Sequence, residues 1–177
     1  VDMAGEGLDY AIRFGDGAWH GTHAECILQA PLSVMCTPTL AQGLHQPVDL
    51  ARLPLLRSYR ADEWSAWFDA VGLPCPVLRG AVFDSSLTLA EAAAQGAGAA
   101  LLPVALFARE LQQGRLVRPF AQELHHGAYW LTRLQSRSES AAMRAFRQWL
   151  HAQTRHIGPI ALTGTLPDGD SASSKYA

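Results

Sequence analysis

The chain has 177 residues, 49% of them hydrophobic, enough for one or two small domains with real cores. Its 14 basic and 16 acidic side chains leave a net charge of −2, so it offers no basic face to a nucleic-acid backbone or an anionic membrane. No apolar run reaches the roughly 18 residues of a membrane span, and Cys26, Cys36 and Cys75 form no CxxC pair, which suits a reducing compartment with buried thiols.

The N-terminus, VDMAGEGLDY, is acidic and lacks the apolar centre of an export signal, so a cytoplasmic protein is expected. LDYAIRF (8–14) reads as a strand running into the glycine-rich turn GDGAWHG. AECILQAPLSVMCTP (24–38) is a long extended run, bent at Ala30-Pro31 because proline removes a ladder donor. Thr37 or Thr39 caps the short helix TLAQGL, VDLARL forms another, and LLRSY (55–59) is the next strand. ADEWSAWFDAVGL (61–73) is a helix opened by Asp62 and closed by Gly72. Trp64, Trp67, Phe68 and Val71 recur at helical spacing, the mark of a packed face.

After the proline-bracketed loop LPCPVL, RGAVF (79–83) is a strand, SLTLAEAAAQG a helix ended by Gly96, and GAALL (98–102) a strand. Pro103 suits the first turn of a helix PVALFARELQQG that stops at Gly114. RLVRPF (115–120) reads as a short strand, GAYWLTRLQ (127–135) as a longer one, and SESAAMRAFRQWLHAQTR as a final helix capped by Ser138 or Ser140. Met143, Phe146, Trp149 and Leu150 would form its apolar face, with Arg144 and Arg147 toward water. Residues 156–177 lack periodicity and read as a flexible tail. Strands alternating with helices predict an α/β fold with largely parallel sheets, the run 79–118 being the clearest right-handed crossover unit. The first strand, apolar and with no preceding βα unit, needs cover from the C-terminal helix or a partner, unless the chain is a fragment.

Candidate chemistry concentrates in GAVFDSSLTLAEAAAQGAGAALLP (80–103). Asp84-Ser85-Ser86 lies where a strand ends and a helix begins, the place where open α/β sheets bind ligands. A helix start offers free N–H groups and a partial positive charge. Ser or Asp there is also the common N-cap, yet a helix needs one cap and this one has three polar residues in a row. Capping and binding both stay open on the residues alone. His20, His23 and Cys26 have the spacing of part of a zinc site, but an extended segment would not converge them and no fourth ligand follows. His125, His126 and Glu123 lack a nucleophile motif beside them. GAGAA (96–100) enters a strand instead of opening a helix, so it is no dinucleotide loop. No cofactor and no enzyme activity are expected. Tyr129 and Trp130 open a strand on opposite faces, so one packs while the other can face a cleft.

GEGLDYAIRFGDGAWHGT, LLRSYRADEW, VFDSSLTLAEAAAQGAG and GAYWLTRLQSR with AMRAFRQWL resemble the effector-binding domain of LysR-type transcriptional regulators. Within that family they are similar to the AmpR-type regulators of chromosomal β-lactamase genes, over about residues 1 to 152. The resemblance implies two Rossmann-like lobes like those of periplasmic binding proteins, with ligand between them and the first lobe incomplete. Residues 1–30 and 134–155 would belong to lobe I and 31–133 to lobe II, with crossings near Ala30-Pro31 and along Tyr129–Leu134. It also implies a DNA-binding helix-turn-helix domain and the rest of lobe I upstream of Val1, and a homo-oligomeric, dimeric parent. The family's effectors are cell-wall muropeptides: UDP-N-acetylmuramic acid pentapeptide, which represses, and anhydromuramyl peptides, which activate. By the same resemblance Ser86 and Tyr129 line the effector cleft and Asp2 occupies a position tied to switching. A solute-binding protein of the periplasmic type is the alternative with the same two-lobe layout.

Overall fold

The computed structural model describes Met3, residues 5–60, 62–155 and Ile157; Asp2 and residues 158–177 lie outside the described residues. Strands β1 (Ala11–Gly15), β2 (Thr22–Gln29) and β8 (Ala128–Leu134) form a sheet in the order β1-β8-β2, antiparallel at both pairings. Strands β3 (Leu32–Met35), β4 (Leu55–Ser58), β5 (Val82–Phe83), β6 (Ala99–Pro103) and β7 (Glu123–Leu124) form a second sheet in the order β5-β4-β6-β3-β7. In it β4 is parallel to β5 and β6, whereas β3 is antiparallel to β6 and β7. The helices are α1 (Pro38–Ala41), α2 (Glu63–Ala70), α3 (Ser86–Ala94), α4 (Ala108–Gln112) and α5 (Ala141–Thr154).

The α/β class stands, but the expected dominance of parallel pairing does not. Only β4, β5 and β6 are reached through helical crossovers; β3 arrives from the other sheet and β7 leaves toward it, and both run the other way. The bend at Ala30-Pro31 is the first passage between sheets, with Ala30 fully buried and the Pro31 carbonyl accepting a bond from Val104 N–H at 3.2 Å. The return passage falls between Leu124 and Ala128. Residues 128–133, assigned to lobe II by sequence, therefore pair within the first sheet, because β8 is its central strand.

The five-stranded sheet is covered on both faces. Leu32, Val34, Leu55, Ala99 and Leu101 face Trp64, Trp67 and Phe68 of α2, where Trp67 and Phe68 meet edge to face at 5.3 Å. Met35, Leu56, Ala100 and Leu102 face Leu89, Ala90 and Ala93 of α3. Strand alternation thus sends neighbours such as Leu55 and Leu56 into two different cores, which is why LLRS and AALLP are apolar without a polar partner face.

Several elements differ from their sequence reading. Strand β5 is confined to Val82–Phe83 because Gly80 crosses β4 too closely to pair: a Cβ there would sit 2.0 Å from the Leu55 carbonyl oxygen, and that closeness lets the Arg57 guanidinium bond the Gly80 carbonyl at 2.8 and 3.0 Å. The helix expected over 103–114 is split. Pro103 ends β6, Val104–Leu106 makes a single 3-10 turn held by the bond to Pro31, and α4 begins only at Ala108. RLVRPF is not a strand: Val117 makes one isolated bridge to Cys36, and Arg118 is drawn away to Ser33 Oγ at 2.9 Å and Glu123 Oε1 at 2.8 Å. Of the three thiols only Cys36 is buried; Cys26 and Cys75 are half-buried.

Helix α5 also turns differently from its predicted face. Ser140 caps it, accepting from Met143 N–H at 3.2 Å, and Met143 is buried. Trp149 is exposed and Phe146 only partly covered, its ring 6.0 Å from that of Tyr10, while Arg147 turns inward to Glu139 at 2.8 Å, and His151 Nε2 lies 2.8 Å from Glu25 Oε1. Polar partners on β2, with Glu139 before the helix, hold the inner side of α5 that the apolar pattern assigned to the core. No helix among the described residues is long and apolar enough to cross a membrane.

Candidate functional site

The parallel pairing of β4 with β5 brings their carboxyl ends side by side, Ser58 opposite Phe83. The chain continues that register by one residue, Tyr59 N–H donating to the Phe83 carbonyl at 2.9 Å. Helix α3 starts three residues after Phe83, so its first turn and Tyr59 share one mouth at this end of the sheet.

Within Asp84-Ser85-Ser86 the roles separate. Ser85 is the cap: its backbone is extended, its Oγ accepts from Leu87 N–H at 3.2 Å, and its carbonyl accepts from Thr88 Oγ1 at 2.9 Å and Leu89 N–H at 3.0 Å. The side chains of Asp84, which is exposed, and Ser86, which is half-buried, bond none of the described residues. The helix is capped without them. Two polar side chains remain for other work.

Tyr129 enters from the other sheet. On β8 it stands opposite Phe14 of β1, and the two rings meet edge on, 5.2 Å between centroids. Burial pushes the Tyr129 phenol above its ordinary value; the Arg60 cation opposes the rise, and Tyr59 and Glu63 add to it. Those neighbours all lie at the end of β4 and the start of α2, so Tyr129 of the three-stranded sheet looks onto the five-stranded one. Its neighbour Trp130 takes the opposite face, where Nε1 donates to the Gly15 carbonyl at 2.9 Å. Gly17, at φ +90°, passes so close that a Cβ would be 2.7 Å from the indole.

Ser86 opens α3, three residues beyond β5, while Tyr129 lies on β8 of the other sheet. From the Phe83 carbonyl a chain of contacts runs through Tyr59, Arg60 and Phe14 to Tyr129. Arg60 and Phe14 were not singled out by sequence. The signal available was SYRADE, where Arg60 and Glu63 stand three apart across a helix start, a spacing that brings opposite charges together. A recess of 160 Å³ lined by Ser58, Tyr59, Arg60 and Glu63 adjoins that chain of contacts. Other recesses lie elsewhere among the described residues, including one of 430 Å³ at the opposite end of β4, one of 470 Å³ beside the passage at Pro31 and one of 280 Å³ between Glu25, Arg133 and Arg147.

The other polar clusters are occupied structurally. His23 stands on β2 opposite Arg133, and Cys26 Sγ takes a weak bond from Gln29 Nε2 at 3.5 Å. Glu123 is paired to Arg118, and His125 and His126 are exposed. Burial pushes the Cys36 thiol up to about 11, so it stays protonated and unreactive near neutral pH.

The described LysR substrate binding domain matches residues 1–155. The chain belongs to that family. Among relatives in it, the HTH-type transcriptional activator AmpR of Pseudomonas aeruginosa is 60% identical over 152 residues, 85% of this chain and 51% of that protein. AmpR of Enterobacter cloacae is 56% identical over 152 residues, again 85% of this chain and 52% of that protein. The chain thus spans about half the length of these relatives. Among solved structures, the effector domain of AmpR from Pseudomonas aeruginosa superposes with a TM-score of 0.83 at 58% identity, covering 88% of this chain and 76% of that one. This LysR domain therefore shares its mixed α/β fold with AmpR effector domains, whose two lobes are of the periplasmic-binding-protein type. Its relatives are transcriptional regulators, not enzymes.

Proposed function

We propose that the chain is the effector-sensing part of a transcriptional regulator of β-lactamase expression, and that the junction between its sheets seats a cell-wall muropeptide. The lobes are the two sheets with their helices, joined at Ala30-Pro31 and between Leu124 and Ala128. In this reading Ser86 and Tyr129 contact the effector, with Asp84 beside them and Ser85 holding the helix start. Asp2 biases the repressing and activating states, and DNA is engaged by a separate domain of a cytoplasmic, homo-oligomeric parent. The protein catalyses nothing. It converts a difference in affinity for UDP-N-acetylmuramic acid pentapeptide and anhydromuramyl peptides into a difference between two arrangements.

The observation that carries this reading is the division of labour at α3. Ser85 alone satisfies the cap, and Ser86 is left half-buried with its hydroxyl unpaired at the start of α3; in this reading that hydroxyl and the Tyr129 phenol share one seat. A muramyl peptide supplies carboxylates and amides, which suit a hydroxyl at a helix start and a phenol opposite it. A solute-binding protein shares the architecture, but helix-turn-helix activators as relatives favour the regulator. Titration calorimetry on the full-length regulator tests the seat. Ser86→Ala and Tyr129→Phe should each weaken binding of an anhydromuramyl peptide by roughly 5- to 50-fold and leave the melting temperature nearly unchanged. Unaltered affinity in both variants would sink the assignment.

A further inference from the structure

We propose that Arg60 is a positioning residue: it latches the five-stranded sheet to the three-stranded one on the effector side, and so couples the junction to the relative setting of the two sheets. The sheets are joined covalently at Ala30-Pro31 and between Leu124 and Ala128. The contact of Arg60 with Phe14 is noncovalent and can be made or broken.

The latch has a fixed end and a releasable end. At the fixed end Arg60 Nε donates to Glu63 Oε1. Glu63 is only 3% exposed, and its second oxygen accepts from Ser58 Oγ at 2.7 Å, so the anion is anchored to both β4 and α2. A buried charge pair with a further hydrogen bond is costly to separate, which keeps the guanidinium with the five-stranded sheet. At the releasable end the guanidinium carbon lies 4.6 Å from the centre of the Phe14 ring on β1, and 5.1 Å from that of Tyr59. A cation over an aromatic face is a modest, short-range attraction. Phe14 in turn meets Tyr129 edge on. Whatever moves Tyr129 moves the ring under Arg60, and whatever shifts the sheets apart lifts the guanidinium off that ring. Strength on one side and weakness on the other make the contact reversible in one place only.

The consequence is quantitative. A contact of this kind shifts an equilibrium by roughly 2- to 30-fold, and a ligand that needs the closed setting loses apparent affinity by the factor by which that setting loses population. That second statement rests on the effector reading given above; the latch itself does not.

The test uses the full-length regulator without ligand. Spin labels are placed at Gln113→Cys and Ser136→Cys, one exposed position on each half, in a Cys26→Ser, Cys75→Ser background. A narrow inter-label distance distribution is expected for the parent and a broader one for Phe14→Leu, which leaves the Arg60–Glu63 pair intact, and for Arg60→Gln. If Arg60→Gln fails to fold because Glu63 is left unpaired, Phe14→Leu alone decides. Unchanged width in Phe14→Leu overturns the latch. Calorimetry with an anhydromuramyl peptide forms the second arm: Phe14→Leu should bind several-fold more weakly than the parent although Ser86 and Tyr129 are present. If the parent itself binds no muropeptide, the effector reading fails, while the ligand-free distance measurement still decides the latch.

Discussion

In the five-stranded sheet every residue of β6, from Ala99 to Pro103, is buried; in the three-stranded sheet β1 has no fully buried residue, and Ile12 is 52% exposed. The difference is one of faces. The larger sheet is sandwiched between α2 and α3, so successive residues enter different cores and the strands read as continuous apolar runs. Along β2 the pattern is instead half-buried and exposed by turns from Thr22 to Cys26, and the bulge between Cys26 and Leu28 shifts its phase so that Ile27 becomes buried. Stability is therefore concentrated in one half of the molecule. The other half is more lightly packed, and lightly packed elements open locally at lower cost.

The largest test of that asymmetry compares two tryptophans. Trp67 is fully buried between α2 and the sheet, touching Trp64, Phe68 and Phe120, whereas Trp149 on α5 is 56% exposed. Trp67→Ala should cost about 3–5 kcal/mol and Trp149→Ala no more than about 0.5 kcal/mol in chemical unfolding. Equal losses would mean that the outer face of α5 is covered in solution, and the contrast between the halves would break.

A subtler test lies within three residues. Ser85→Ala removes the cap of α3 and should lower stability by about 1 kcal/mol with little change in effector affinity, provided the helix start stays formed. Ser86→Ala should do the reverse. Paired thermal melts and calorimetry on the two variants read both quantities. If Ser86→Ala costs stability as Ser85→Ala does, Ser86 belongs to the helix and not to the junction.

Much of the larger half was legible in the sequence because its signals are local. The apolar runs LLRS and AALLP mark strands, Trp64, Trp67 and Phe68 mark a packed helix face, and Pro31 marks the passage between sheets. The losses came where distant residues outbid local preference. Pro103 has the credentials of a helix start, yet it pairs with Leu32 as the end of β6. Val117 lies in a strand-like run, but Arg118 is recruited by Ser33 and Glu123 and the ladder stops. The two-residue strand β7 is too short to carry a periodicity. Among the candidate residues, Asp84-Ser85-Ser86 and Tyr129 stand out in the sequence as surplus polarity at a strand end and an aromatic at a strand start. Which serine caps does not, because either can by type, and Arg60 does not, because its aromatic partner Phe14 lies in a different sheet.

The smallest expected effect concerns how the lightly packed half is held. Glu139, just before α5, accepts from the Tyr10 hydroxyl at 2.7 Å and from Arg147 Nε at 2.8 Å, and Arg144 lies 3.6 Å away. The Tyr10 hydrogen bond first, then Arg147, hold its carboxyl below the ordinary value of 4.5. A carboxylate depressed on folding contributes its stability above the unfolded value and loses it as pH falls through the lower folded one. The urea midpoint should therefore decline on acidification below about pH 4.5, and Glu139→Gln should flatten that part of the decline while changing little of the rest. Because the cluster ties β1's leading Tyr10 to α5 and leaves the five-stranded sheet untouched, amide exchange in Glu139→Gln should quicken in residues 10–15 and 141–147 and not in β4 or β6. Uniform quickening across both sheets would show that the two halves unfold as one unit, and the division between a stable half and a yielding half would have to be given up.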